Sequence, residues 1–270
     1  FSNISICFKT KRLILHLAKN YMIYLKRFYL IPWTLWCGLS FLVLNILFFP
    51  FMYLFLLSGN KTLYRWTHQM PTIIGRISAF LWGIRVIESG RDHFDMKTQY
   101  IFVGNHRSFI DAIISGGFIY NYKKFIGKAE ILKWPFMGFI LRKLYIPVKR
   151  EDKDSRKKSM EQLIEKMKEG YSMVVFSEGK SNTTDEPLLP FKDGAYSTSC
   201  ETKITIVPFV MYGADDLWPR KQLLIRPGKI YLDFLPPVLP LDSTEENIQI
   251  QKETVYNQML ETYLKHANKV

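Results

Sequence analysis

Cysteine is scarce in this chain. Cys7, Cys37 and Cys200 are the only three, and they lie too far apart in sequence to suggest a metal site or a disulfide framework. A reducing, cytosol-facing compartment is the expectation. Acidic residues are also outnumbered, with 24 Asp and Glu against 37 Lys and Arg, for a formal charge of +13. Such an imbalance implies an anionic partner, either nucleic acid or an acidic lipid surface. No zinc-finger spacing, RNA-binding aromatic signature or recognition-helix pattern accompanies the charge, so nucleic acid is not the expected partner. Internal repeats, low-complexity tracts and Gly/Ser linkers are missing as well. The 270 residues therefore suffice for one sizeable core with a membrane-associated appendage.

Charge of either sign is absent from Leu30 to Gly59. Roughly 20 apolar residues cross a bilayer, so this run is long enough for one crossing, tilted or kinked at Pro50, and too short for two. Trp33, Trp36 and Tyr53 are candidate interfacial anchors. A cleaved signal peptide fits poorly, because the apolar core is too long and no small-residue cleavage site stands out. Basic residues flank both ends, so a full span and a shallow insertion both stay open. The first residue is Phe1, and a trimmed or incomplete N-terminus is expected. The organisation predicted is a basic, membrane-associated region over residues 1–62 and one globular domain over 63–270.

In that domain, Thr62–Ile84 mixes aromatic and apolar residues with Arg65, His68 and Arg76 and is predicted to be an amphipathic helix. Strands are predicted at Ile84–Glu88, Tyr100–Val103, Lys124–Gly127, Leu144–Lys149, Ser172–Phe176, Ile204–Met211, Gln222–Arg226 and Ile230–Leu235. Helices are predicted at Asp111–Tyr120, Pro135–Arg142, Asp154–Glu169 and Leu241–His266. The third of these carries Met160, Leu163, Ile164 and Met167 on one face and stops at Gly170. The last opens with Ser243 and Glu246 spaced as a capping box. Alternating strands and helices predict an α/β domain: a mixed, largely parallel sheet flanked by helices, behind an N-terminal membrane-associated helical segment. Ligands of such sheets gather at the carboxyl ends of strands.

Asn105-His106-Arg107-Ser108-Phe109-Ile110-Asp111 follows one such end. Five positions along a single helix would turn His106 and Asp111 apart, since helical neighbours are three or four residues away. A histidine on the turn before the helix removes that obstacle. Asp111 then reaches back to one ring nitrogen, fixes the tautomer and makes the imidazole a better general base. The same residues also suit a plain turn and helix start, with Asn105 or Ser108 as turn residues and Asp111 as the cap. Spacing alone does not choose.

Three further segments stand out. Phe176-Ser177-Glu178-Gly179-Lys180-Ser181-Asn182 follows another strand end. There Gly179 permits close backbone approach, and Glu178 offers an acceptor for a hydroxyl; a polar turn is the alternative. Arg150, just past a strand, suits bidentate phosphate binding, and Lys128 offers a second charge. The alternative is a solvated basic surface. Ile206-Val207-Pro208-Phe209 places a proline in an apparent central strand, where it removes a ladder donor and marks a bulge or strand end.

Order and content together resemble the four-block pattern of the glycerolipid acyltransferases, the superfamily of 1-acyl-glycerol-3-phosphate and other lysophospholipid acyltransferases. NHRSFID resembles the Asn-His-x4-Asp block, KAEILKWPFMGFILRKLYIPVKR the second, FSEGKSN the Phe-Pro-Glu-Gly block and IVPF the Val-Pro block. FKDGAY, Phe191 to Tyr196, resembles the usual sequel to the third. The likeness covers roughly residues 80 to 237. It implies acyl transfer to a lysophospholipid hydroxyl from a thioester co-substrate, acyl-CoA or acyl carrier protein, with no further cofactor and no metal. It also implies membrane lipids as partners and an active domain facing the cytoplasm. His106 would take the hydroxyl proton and Asp111 would orient it, within a turn that includes Asn105 and Ser108. Arg150 and Lys128 would hold the acceptor phosphate, and Glu178, Gly179, Lys180 and Pro208 would line the acceptor region. The chain has no Gly-x-Ser-x-Gly elbow, so direct transfer is expected rather than an acyl-enzyme.

Two departures from the pattern bear on the acceptor. Ser177 stands where proline is usual, and Lys180-Ser181 where Thr-Arg is commonest. A lysine lacks the planar fork of arginine. Besides 1-acylglycerol-3-phosphate, other lysolipids, an aminolipid acceptor, or a lipid-binding member without turnover remain as readings.

Overall fold

A computed structural model describes residues 2–128, 137–148, 153–219 and 223–267. Seven strands form one sheet: β1 (Ile84–Ser89), β2 (Ile101–Gly104), β3 (Lys123–Lys128), β4 (Tyr145–Val148), β5 (Ser172–Phe176), β6 (Ile206–Tyr212) and β7 (Gly228–Phe234). Their spatial order is β1-β7-β6-β2-β5-β3-β4. Every neighbouring pair is parallel except β6 with β7. The sheet is thus mixed and largely parallel, as the sequence predicts. Central strands of such a sheet are covered on both faces, and all four residues of β2 are buried.

Alternation along the strands sorts the core into two layers. Phe102, Val174, Val207 and Phe209 pack on one face with Ile110, Ile113 and Ile114 of α3 (Ile110–Phe118) and Ala79 of α2 (Lys61–Leu81). Ile101, Val103, Met173 and Val175 pack on the other with α5 (Lys153–Lys168), α6 (Gly194–Thr202) and α8 (Glu245–Ala267). α4 (Met137–Leu144) leads directly into β4. Gly170 takes φ +90° at the end of α5, the left-handed conformation its C-terminal position favours.

The N-terminal helix, α1 (Ser2–Leu57), runs on through Pro32 and Pro50. It turns at Ser58–Asn60, where Asn60 Oδ1 caps α2 by accepting from Thr62 and Leu63 N–H at 2.8 and 3.2 Å. The two helices then lie antiparallel. Met52 and Met70 pack together near the turn, and Trp82 Nε1 donates to the Cys37 carbonyl at the other end (3.0 Å). From Leu30 onward one face of α1 rests on the domain. The opposite face exposes Ile31, Leu35, Leu39, Leu42, Ile46 and Leu54. Phe28–Leu57 is the one segment among the described residues long and apolar enough to cross a membrane. The expected anchors turn partly inward: Trp36 Nε1 donates to the Leu81 carbonyl (3.0 Å), and the Tyr53 ring packs on Phe139.

Three expectations are corrected. The described residues of Gln222–Arg226 form no strand; Ile225 and Arg226 donate instead to Thr34 Oγ1 (2.9 Å) and the Leu217 carbonyl (2.8 Å), and the strand begins after Pro227. The cap of α8 shifts by one residue, with Thr244 Oγ1 accepting from Asn247 N–H (3.2 Å) in place of the Ser243–Glu246 box. Pro208 does not end its strand. It sits within β6 opposite Val103, and only the pairing with the chain after β7 gives way beside it, where Pro236-Pro237 separates the Leu235 contact from the Val238 bridge. The helix α6 and the short α7 (Ala214–Leu217) carry too little apolar periodicity for the sequence to announce them.

α2 crosses α3 through paired glycines. A Cβ on Gly75 would lie 2.7 Å from the Ile113 carbonyl oxygen and 2.8 Å from Gly117 Cα, backbone atoms that cannot swing away. Gly75→Ala is expected to cost about 1–3 kcal/mol through overpacking, read as a fall of several degrees in Tm. Gly116→Ala, whose Cβ would meet only the Phe125 ring at 3.8 Å, is the neutral control.

Candidate active site

The crevice is made by the way the chain leaves two adjacent strands. After β2 it passes into α3 on one face of the sheet; after β5 it passes through residues 177–193 into α6 on the other. Loops that part in this way open a cleft at the carboxyl edge of the sheet. Gly104 closes β2 at the cleft, and a Cβ there would strike the Phe209 ring at 2.2 Å.

His106 stands on the turn between β2 and α3, and Asp111 lies in the first turn of α3. Asp111 is buried and its Oδ2 meets three donors: His106 Nδ1 at 3.0 Å, Arg107 N–H at 2.6 Å and Ser108 N–H at 2.7 Å. An oxygen facing two backbone N–H groups acts as an acceptor. Nδ1 therefore carries a proton, and it is Nε2 that holds the lone pair whenever the ring is neutral. No described residue hydrogen-bonds to Nε2, and the side chain stays 18% exposed at the cleft. The imidazole stacks on Phe176 at 4.4 Å between centroids, so its plane is fixed by an aromatic face and its rotation by a carboxylate. The expected His106–Asp111 contact and the expected turn occur together, because the carboxylate that holds the ring also ties the turn.

The segment after β5 supports this turn from below. Glu178 Oε1 accepts from His106 N–H at 2.8 Å, and Oε2 accepts from Leu189 N–H at 2.9 Å. The Asn182 N–H donates to the His106 carbonyl at 2.6 Å. Both backbone groups of His106 are thus held by the third sequence block. Glu178, expected to face an acceptor hydroxyl, lies buried beneath the histidine with each oxygen on a backbone N–H. Burial pushes its carboxyl up from the ordinary value. Gly179 takes φ +69° to make the turn. Ser177, in place of proline, donates its N–H to the Gly104 carbonyl at 3.3 Å and extends the β5–β2 pairing; proline has no such donor.

The remaining expected residues divide. Asn105 is buried and closes a two-way bond with Met211, donating to its carbonyl (3.0 Å) and accepting its N–H (2.8 Å), so it splices the turn onto β6. Ser108 Oγ accepts from Ile110 N–H at the start of α3 (3.4 Å). Pro208 is buried within the sheet, paired with Val103 two residues before Asn105. Lys180 is exposed on the loop after Glu178. Lys128 closes β3 on the side of the sheet beyond β5. Arg150 lies outside the described residues.

Sequence reasoning passed over Arg107. Its Nε donates to Asp215 Oδ2 (2.7 Å), Nη1 to the Glu186 carbonyl (2.9 Å) and Nη2 to the Thr184 carbonyl (3.2 Å). One guanidinium ties the histidine turn to α7 and to the loop after β5. Its partners lie 77 to 108 residues away, and no spacing rule links them.

Residues 85–212 match the family model named Acyltransferase. The chain is 27% identical over 226 residues to a 1-acyl-sn-glycerol-3-phosphate acyltransferase of Cocos nucifera, covering 82% of this chain and 71% of that protein. It is 28% identical over 188 residues to the human 1-acyl-sn-glycerol-3-phosphate acyltransferase alpha, covering 68% and 65%. The chain spans less than two thirds of the length of most curated relatives it matches. Its fold is that of the 1-acyl-sn-glycerophosphate acyltransferase PlsC of Thermotoga maritima, with a TM-score of 0.73 and 23% identity over 89% of this chain and 97% of that one.

The Glu178 clamp has a stability signature. Glu178→Ala removes the acceptor of two part-buried backbone N–H donors, each worth up to about 1–3 kcal/mol, and a clear drop in urea midpoint is expected. A carboxyl whose folded pKa is raised gives its full contribution below the unfolded value near 4.3 and loses it as pH rises through the folded pKa. The stability advantage of wild type over Glu178→Gln is therefore expected to be larger at pH 4 than at pH 7. Urea titrations of both proteins at the two pH values check the sign.

Proposed function

We propose, on the premise that residues 85–212 form an acyltransferase-family domain, that this protein is a membrane-bound acyltransferase acting on 1-acylglycerol-3-phosphate to make phosphatidic acid. The names of the relatives support the acceptor. The observation that carries the chemistry is the oriented imidazole, with Nδ1 tied to Asp111 and Nε2 open at the cleft.

In this reading Nε2 of His106 removes the acceptor hydroxyl proton as that oxygen attacks the thioester carbonyl carbon of acyl-CoA or acyl carrier protein. Asp111 stabilises the imidazolium that forms. Collapse of the tetrahedral intermediate breaks the C–S bond, and the departing thiolate takes the proton back from His106. The ester and the free thiol are the products, and the histidine is regenerated. General base catalysis of this kind contributes about 10²–10⁴-fold; holding both substrates in line contributes further. Arg150 and Lys128 are assigned to the acceptor phosphate, with Lys180 as a further cation at the cleft.

The surface of α1 supports the membrane assignment. Phe28–Leu57 extends about 45 Å at 1.5 Å per residue, longer than a hydrocarbon core of about 30 Å, and it is bound lengthwise to α2. A helix held in that way presents its apolar face to a bilayer by lying in the interface, with the domain on the cytoplasmic side. Ser177 does not disturb the arrangement, since Glu178 still holds the histidine turn, which favours turnover over a lipid-binding protein that has lost it.

His106→Ala is expected to lower kcat by about a thousandfold or more with little change in Tm. Asp111→Ala is expected to lose both activity and stability, because the same oxygen serves the ring and two backbone donors. Thioester consumption by purified full chain, with mass spectrometry of products from a mixed lysolipid and acyl-donor panel, tests both. Full activity in His106→Ala would overturn the mechanism, and acylation confined to another lysolipid would overturn the acceptor.

A further inference from the structure

We infer that the end of the sheet opposite His106 carries a second, non-catalytic site that takes the phosphate of an anionic membrane phospholipid. A cavity of about 270 Å³ opens there between the last turn of α1, the first turns of α2, and Tyr122 and Tyr171. Those tyrosines immediately precede β3 and β5, whereas His106 follows β2, and the three strands are parallel. The cavity and the cleft therefore lie a strand length apart, on opposite edges of the sheet.

Its charge suits an anion. Lys61 and Arg65 are exposed and four residues apart on α2, so they share one face. Neither makes an ion pair among the described residues. The one carboxylate at the rim, Glu169, is already paired with Lys166. The Arg65 guanidinium lies over the Tyr122 ring at 5.4 Å from its centroid, which orients the planar fork suited to phosphate oxygens. The back wall carries two phenols: Tyr122 and Tyr171 share a hydrogen bond between their hydroxyls (2.7 Å).

Its border suits a lipid rather than a free phosphate. Phe55 and Leu56 line the cavity, and Phe51, Leu54, Leu57 and Trp66 are exposed on the last turns of α1 and the first turns of α2. The apolar face of α1 ends where Lys61 and Arg65 begin, so acyl chains have hydrocarbon surface to follow when the phosphate is seated. A lipid held at this end would fix the orientation of α1 on the bilayer, with the His106 cleft at the other end of the footprint.

The test is cosedimentation of the full chain with vesicles of phosphatidylcholine alone or containing about a fifth phosphatidic acid. Wild type is expected to bind the acidic vesicles about tenfold or more tighter. Lys61→Ala/Arg65→Ala should abolish most of that preference while binding to phosphatidylcholine is unchanged. Lys97→Ala/Lys229→Ala, which removes two exposed charges elsewhere, should keep it. A double variant that retains the preference, or a control pair that loses it equally, overturns the site in favour of diffuse attraction. Saturable binding of inorganic phosphate that depends on Lys61 and Arg65, without any vesicle preference, overturns the lipid assignment. The readout is binding, so it stands or falls separately from acyl transfer.

Discussion

A buried carboxylate is costly unless several donors surround it, and Asp111 meets three on a single oxygen. That convergence dictates the shape of the turn after β2. The Arg107 and Ser108 N–H groups must point inward, and His106 must present Nδ1 to the same atom. Once those bonds form, the imidazole has one tautomer and one orientation, and Nε2 faces the cleft. Replacing the aspartate would therefore alter the backbone before it altered the chemistry. Glu178 repeats the device from the neighbouring strand, with one oxygen for His106 and one for Leu189.

The rest of the domain keeps these two carboxylates in register. Paired strands β2 and β5 bring Gly104 beside Phe176, which sets the His106 turn above Glu178. Asn105 borrows the backbone of β6, and Arg107 gathers α7 and the loop after β5. On the face of the sheet that carries α3, the close approach of Gly75 and Gly117 lets α2 lie directly on that helix. α1 is packed along α2, so its apolar face is fixed relative to the cleft. A lipid surface met by that face is presented to His106 in one orientation, with the Lys61–Arg65 cavity at the far end.

Much of this was legible in the chain. The strand spans came from short apolar runs bounded by turn residues, and Ser172–Phe176 matches to the residue. Gly170 marked a real helix end. His106 and Asp111 were legible because a local motif carries both partners. The role of Glu178 was not: the residue could be singled out, but its hydrogen bonds go to a backbone N–H 72 residues earlier and to another 11 later. Arg107 was missed for the same reason. The Gln222–Arg226 run failed because apolar content alone cannot distinguish a strand from a connector tied down by Thr34 and Leu217.

By itself the sequence determined the alternation of elements, the apolar length of Phe28–Leu57 and the order of four motif blocks, because each rests on residues close together along the chain. Only the tertiary structure decided that α1 lies along the domain, that Glu178 faces backward onto the histidine turn, and that Lys61 and Arg65 border a cavity with Tyr122 and Tyr171. Those depend on which strands become neighbours, and in a parallel sheet neighbours are joined by long crossovers. The contacts that make the site are therefore distant in sequence, and folding alone brings them within hydrogen-bonding reach.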